Sequence, residues 1–253
     1  MNTLYTETFG CGPRLVLIHG WAMHSGVWRE MAESLAADFQ VTCVDLPGHG
    51  RSPAWNEWTL ADTAAALAEL EMGPALWLGW SLGGQVVLEM ARCYPDQVSG
   101  LILLAANPRF VAGGDWPGMS LTVFESFVEG VDSHAGKALN RFLALACQGA
   151  VDPKRCLRRL QSDWTQYPPP SSTILRQGLA ILRQADLRGD LNEIACPAAV
   201  VAGREDCLVP LAAAERLARG LPQSRLSVWD DTGHAPFLSQ PERLVELVRA
   251  FGL

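Results

Sequence analysis

Six short apolar runs, separated by stretches of helical character, constrain this chain more than any other feature. "LVLI" (15–18), "VTCV" (41–44), "ALWLG" (75–79), "LILLAA" (101–106), "AAVVA" (198–202) and "RLSVW" (225–229) are mostly apolar along their length. A strand with one wet face alternates apolar and polar residues. A continuous short apolar run suits a strand covered on both faces, as in a parallel sheet. Between the runs lie helical patterns such as "VWREMAESLAADF", "TLADTAAALAELE" and "GGQVVLEMARCYP". This succession predicts an α/β fold built on a mostly parallel, doubly wound sheet. With 49% hydrophobic and 19% charged residues among 253, the chain can bury such a sheet.

The rhythm stops after Ala106 and resumes at Pro197. Residues 110–186 contain no convincing strand and read as several helices, with breaks at "AGGDWPG" and "YPPPSS". The expected organisation is a core of residues 1–109 and 187–253 with a helical cap, 110–186, inserted into it. Such an insertion lies over the carboxyl ends of the strands, where doubly wound sheets bind ligands.

Chemistry concentrates at Gly79-Trp80-Ser81-Leu82-Gly83. A G-x-S-x-G pattern between a buried strand and a helix is the context of a nucleophile elbow, a tight turn that lifts a serine hydroxyl out of the sheet. The amide groups at the start of the following helix then face the charge that develops during attack. A serine hydroxyl is a poor nucleophile without a base. Of the histidines at 19, 24, 49, 134 and 234, His234 stands in "DTGHAPFLSQPERL", after the last apolar run and before the final helix. "VVAGREDCLVP" ends a strand with Asp206, the preferred acid, and Glu205, Asp230 and Asp231 are its rivals. Nucleophile, acid, histidine is the chain order this fold uses. His19 and His49 read as structural, His24 as a pocket or surface residue, and His134 carries no assignment.

Other classes are disfavoured. A net charge of −7 does not suit general nucleic-acid binding, which needs a basic surface. The start "MNTLYTETFG" has no basic or apolar leader character, and no apolar run approaches the roughly 18 residues of a membrane span. Seven scattered cysteines without a CxxC pair suit reduced thiols, so a cytoplasmic protein without membrane association is expected. The chemistry at Ser81 calls for no metal and no organic cofactor. One local asymmetry runs against the acidic whole: residues 137–159 hold Lys137, Arg141, Lys154, Arg155, Arg158 and Arg159 against Asp152 alone. Lys137 and Arg141, like Lys154 and Arg158, are four apart and share a face if helical. Such faces suit an acidic helical partner and a phosphate, though an ordinary solvated helix face has the same composition.

"LIHGWAMHSGVW" resembles the loop that supplies an oxyanion-hole amide in α/β-hydrolases, which implies the backbone N–H groups of Trp21 and Leu82 as donors. Together with "LGWSLGG", "DWPGM", "RFLALA", "ILRQADLR" and "HAPFLSQP", it is similar, nearly end to end, to the pimeloyl-[acyl-carrier protein] methyl ester esterases of biotin synthesis. The resemblance implies an α/β-hydrolase fold with the helical cap inserted after the sixth strand. It also implies hydrolysis of the methyl ester of a pimeloyl chain carried on acyl-carrier protein, by a monomer. Substrate would lie against Trp21, Ser81, Leu82, Phe142, Leu143, Ala144, Leu145, Ala146 and His234, and the carrier would dock on Lys137, Arg141, Lys154 and Arg158. The family has glutamine where this chain has Ala146. Residues 141–146 equally suit a core-packing helix. A short-chain carboxylesterase without a carrier partner, and a ligand-binding homologue without catalysis, remain alternatives.

Overall fold

The structure, a computed structural model, describes residues 3–70 and 73–252. Each apolar run becomes a strand. The chain passes through β1 (Thr6–Phe9), β2 (Arg14–Ile18), α1 (Arg29–Leu35), β3 (Gln40–Val44) and α2 (Leu60–Ala68). It continues through β4 (Ala75–Trp80), α3 (Leu82–Cys93) and β5 (Val98–Leu104). Three helices follow: α4 (Leu121–Cys147), α5 (Pro153–Trp164) and α6 (Ser172–Gln184). The sheet resumes with β6 (Ala198–Gly203), α7 (Leu211–Gly220) and β7 (Ser224–Trp229), and the chain closes with α8 (Pro236–Ser239) and α9 (Pro241–Gly252).

The strands form one sheet in the order β1-β3-β2-β4-β5-β6-β7. All neighbours are parallel except β1, which runs antiparallel to β3 at the edge. β1 is absent from the apolar runs for a physical reason: "TETF" is a polar edge strand that needs no cover on both faces. β4, by contrast, is buried at all six positions. The helical insertion follows the fifth strand of the described residues, not the sixth, because one amino-terminal strand rather than two precedes β2. β5 also stops at Leu104, two residues short of the apolar run, where Ala105 turns to φ 47°.

From β2 the chain moves to β3 on one side and then to β4 on the other. The carboxyl ends of β2 and β4 therefore border the switch point, the crevice where open α/β sheets take ligands. Both breaks expected in the insertion appear, before α4 and between α5 and α6. A third lies within α4, where His134 leaves helical geometry at φ −155°, ψ 75°. Asp152 caps α5 by accepting from Arg155 N at 2.9 Å, and Ser171 caps α6 by accepting from Ile174 N at 3.3 Å. Each cap contributes about 1 kcal/mol. The chain leaves and re-enters the sheet region side by side: Leu187 N–H donates to Pro108 O at 3.0 Å, and Arg109 pairs with Asp186 at 2.9 Å.

Candidate active site

Ser81 sits between β4 and α3 at φ 55°, ψ −115°, a backbone conformation L residues rarely adopt. The flanking glycines permit it. A Cβ on Gly79 would run into the carbonyl of Gly83, and one on Gly83 into the carbonyl of Ile18 at the end of β2. The turn is closed by Ser81 N–H donating to Leu104 O at 3.0 Å and Gly84 N–H donating to Ser81 O at 2.9 Å.

His234 and Asp206 arrive from loops after β7 and β6. His234 Nε2 is 2.8 Å from Ser81 Oγ, and His234 Nδ1 is 2.8 Å from Asp206 Oδ2. An ionised carboxylate can only accept, so the imidazole proton resides on Nδ1 and Nε2 accepts from the serine hydroxyl. Asp206 Oδ1 accepts from the amides of Leu208 (2.8 Å) and Val209 (2.9 Å), which orients the carboxylate. All three side chains are buried. The rival acids lie elsewhere: Glu205 is exposed and accepts from Thr232 N, Asp230 pairs with Arg204, and Asp231 is exposed at φ 53°. Ser81, His234 and Asp206 thus form one hydrogen-bonded chain, an arrangement able to perform acyl transfer.

The loop after β2 passes beside the elbow. His19 Nδ1–H donates to Gly20 O at 2.8 Å, and its Nε2 accepts from Leu46 N at 2.9 Å. Burial, reinforced by neighbouring His49, pushes this imidazole down to about 3, so it stays neutral. In a trans peptide the N–H opposes the C=O. Holding the Gly20 carbonyl therefore fixes the direction of the Trp21 N–H. Among the described residues neither the Trp21 nor the Leu82 N–H has a hydrogen-bond partner. His49 is likewise buried and pushed down to about 4, donating from Nδ1 to Pro47 O. His24 is buried rather than superficial, with Nε2 donating to Asp163 O at 2.7 Å and Nδ1 accepting from Gly26 N. His134 is exposed at the α4 kink.

Among residues 142–146, Phe142 stands edge-on to Trp21 at 5.0 Å and 6.4 Å from the His234 ring. Leu143 and Ala146 are fully buried, and Leu145 is half-buried. Ala144 is exposed, about 200° around α4 from Phe142, so the expectation that it lines the site does not hold. The backbone of Ala146 matters instead: its carbonyl accepts from His234 N at 3.1 Å. Lys137, Arg141, Lys154 and Arg158 are all exposed on α4 and α5. Sequence reasoning missed Trp80, whose indole N–H donates to His234 O at 2.7 Å. Its place inside the elbow motif was the available signal.

The α/β-hydrolase fold model matches residues 13–241, nearly the whole chain and every element of this site. The chain belongs to the α/β-hydrolase family. This hydrolase is 44% identical over 251 residues to the pimeloyl-[acyl-carrier protein] methyl ester esterase of Methylococcus capsulatus, covering 98% of each chain. It is 41% identical over 246 residues to the enzyme of that name from Nitrosomonas europaea, covering 97% of this chain and 98% of that one. An esterase from Exiguobacterium antarcticum shares the fold of the hydrolase with a TM-score of 0.91 at 24% identity, over 99% of each chain.

Proposed function

We propose that this chain is a serine carboxylesterase that hydrolyses the methyl ester of pimeloyl-[acyl-carrier protein] methyl ester, releasing methanol in biotin synthesis. The hydrogen-bonded chain Ser81–His234–Asp206 carries the reading of the chemistry. Near full-length similarity to two esterases of that name carries the substrate.

Ser81 Oγ attacks the ester carbonyl as its proton passes to His234 Nε2, while Asp206 holds the imidazole and stabilises its charged form. The oxyanion takes hydrogen bonds from the Trp21 and Leu82 N–H groups, each worth about 3 kcal/mol in the transition state. Collapse breaks the bond to the methoxy oxygen, which leaves as methanol with the proton from His234. Water then attacks the acyl-enzyme, giving its proton to His234, and Ser81 is released with the free carboxylate. Every step uses side chains and amides of this chain. Phe142 lines the acyl path beside the triad.

Residues 110–186 form the cap, and its outer basic face takes the carrier protein. Lys137, Arg141, Lys154 and Arg158 have no ion-pair partner among the described residues. Arg159 beside them is tied to Asp163 and Glu30. Four unpaired cations on two neighbouring helices complement an acidic helix and the phosphate of its prosthetic arm. The enzyme acts as a monomer in the cytoplasm, and among the described residues no helix is long and apolar enough to cross a membrane.

The deciding experiment compares turnover of the carrier-bound methyl ester and of p-nitrophenyl acetate by wild type and by a variant with all four cations neutralised. Loss of the carrier-bound activity alone is expected. Equal activity of both proteins on both substrates would leave a carboxylesterase without a carrier partner.

A further inference from the structure

We propose that the cap is part of the oxyanion hole, because the Trp21 indole ties the loop carrying one oxyanion donor to cap helix α6. The inference rests on the reading of the Trp21 amide as that donor.

Trp21 belongs to the core by its backbone and to the cap by its side chain. Its Nε1–H donates to Leu175 O on α6 at 2.9 Å, a buried hydrogen bond between residues 154 positions apart. Its ring meets Phe142 of α4 edge-on at 5.0 Å. The helix comes close because residue 178 has no side chain: a Cβ on Gly178 would lie 2.6 Å from Trp21 Cδ1 and 3.0 Å from Trp58. With an exposure of 1%, Trp21 is packed closely against both cap helices.

The preceding residue, Gly20, lies hard against Ser81 and Trp80. A Cβ on Gly20 would lie 3.3 Å from Ser81 Cβ and 3.2 Å from the Trp80 ring, so the loop has almost no slack against the elbow. His19 fixes the Gly20 carbonyl from below, and the indole fixes the next residue from above. The Gly20–Trp21 peptide, and therefore the direction of its N–H, is set between a core clamp and a cap clamp. A second clamp of the same kind acts on the base: Ala146 O, in the last turn of α4, accepts from His234 N.

A seated cap thus holds the oxyanion donor in the geometry that matters only once the carbonyl has become tetrahedral. Such interactions appear in kcat rather than in ground-state binding. A cap that merely covers the substrate would appear in KM.

The test uses Trp21→Phe, which keeps an aromatic ring and removes the N–H, and Gly178→Ala, which displaces the indole from the cap side without altering it. Removal of a whole oxyanion donor costs 10²–10³ in kcat elsewhere, so misalignment is expected to cost about tenfold here, with KM little changed. A trifluoromethyl ketone, whose adduct with Ser81 places an oxyanion in the hole, should weaken in step with kcat/KM in both variants. Full kcat in Trp21→Phe, or a rise in KM and a fall in Tm without loss of kcat, overturns the coupling alone. A wild type that turns over no ester, and whose Ser81 is not labelled by a fluorophosphonate, overturns the esterase reading and the coupling with it.

Discussion

The Trp80 indole donates a hydrogen bond to the main-chain carbonyl of His234 at 2.7 Å, so the residue preceding Ser81 holds the histidine that is hydrogen-bonded to Ser81. The two rings also pack at 5.9 Å, and Trp80 stands edge-on to Phe237 at 4.8 Å. Trp80→Phe keeps most of this packing and leaves the buried carbonyl without its donor. Denaturant unfolding should show a loss of about 1–3 kcal/mol. Activity should fall through kcat, since the imidazole loses one of its anchors; unchanged kcat would rule out a positioning role.

Asp206→Asn tests the orienting acid. The amides of Leu208 and Val209 can still hold one side-chain oxygen, so the fold should survive. The new amide nitrogen cannot accept from Nδ1–H and favours the wrong imidazole tautomer. A fall in kcat of about 10⁴ is expected from the corresponding change in a serine protease triad. Retention of more than a tenth of the wild-type rate would assign the acid elsewhere.

Ser81, the proposed nucleophile, holds a positive φ of 55°. Ser81→Ala should reduce kcat by roughly 10⁶, as for a nucleophile that acts as a unit with its base. Ser81→Gly should also be inactive, yet its positive φ becomes free of cost. Thermal unfolding should then show a gain over Ser81→Ala of about 1 kcal/mol or more. No difference between the two variants would mean that the elbow is unstrained.

Stability should fall on mild acidification. His19 and His49 are pushed down to about 3 and about 4, chiefly by burial, and burial lowers His24 as well. Below about pH 6.5 the unfolded chain takes up protons that the native chain excludes. The contribution of these neutral histidines is therefore complete above that pH and declines as pH drops toward 4. Each adds a slope of up to about 1.4 kcal/mol per pH unit. Urea midpoints at pH 7, 6 and 5 check this, and His49→Gln should flatten the profile. A flat profile in wild type would contradict the assignment of neutral buried imidazoles.

Salt should separate the two substrates. Exposed charges attract over roughly 10 Å at 0.1 M ionic strength and much less at higher salt. Turnover of the carrier-bound ester should drop several-fold between 0.05 and 0.5 M salt, flattening in the four-cation variant, while p-nitrophenyl acetate is indifferent. A carrier reaction insensitive to salt would move docking away from Lys137, Arg141, Lys154 and Arg158.

The strands inside the sheet were legible because parallel strands covered on both faces are apolar throughout, and β4 is such a strand; β7 was found by its apolar run although it lies at an edge and is mostly not buried. β1 was not legible, because the short polar run "TETF" lacks that signature. Ser81 was legible because its turn excludes side chains at Gly79 and Gly83, and His234 because it follows the last strand. The roles of Ala144 and Ala146 were not: neighbours in sequence face opposite ways on α4, and a backbone carbonyl leaves no trace in residue identity.

Local chemistry determined the alternation of apolar strands and helices, the elbow at Ser81, the candidate histidine and a short set of candidate acids, since each depends on spacing within a few residues. Only the tertiary structure decided that Asp206 rather than Glu205, Asp230 or Asp231 meets His234, and that the Trp21 indole reaches Leu175 O on α6. Those outcomes depend on where loops from β2, β6 and β7 and helices α4 and α6 converge. Convergence over 153 positions between Ser81 and His234 is a property of packing, not of any stretch of chain.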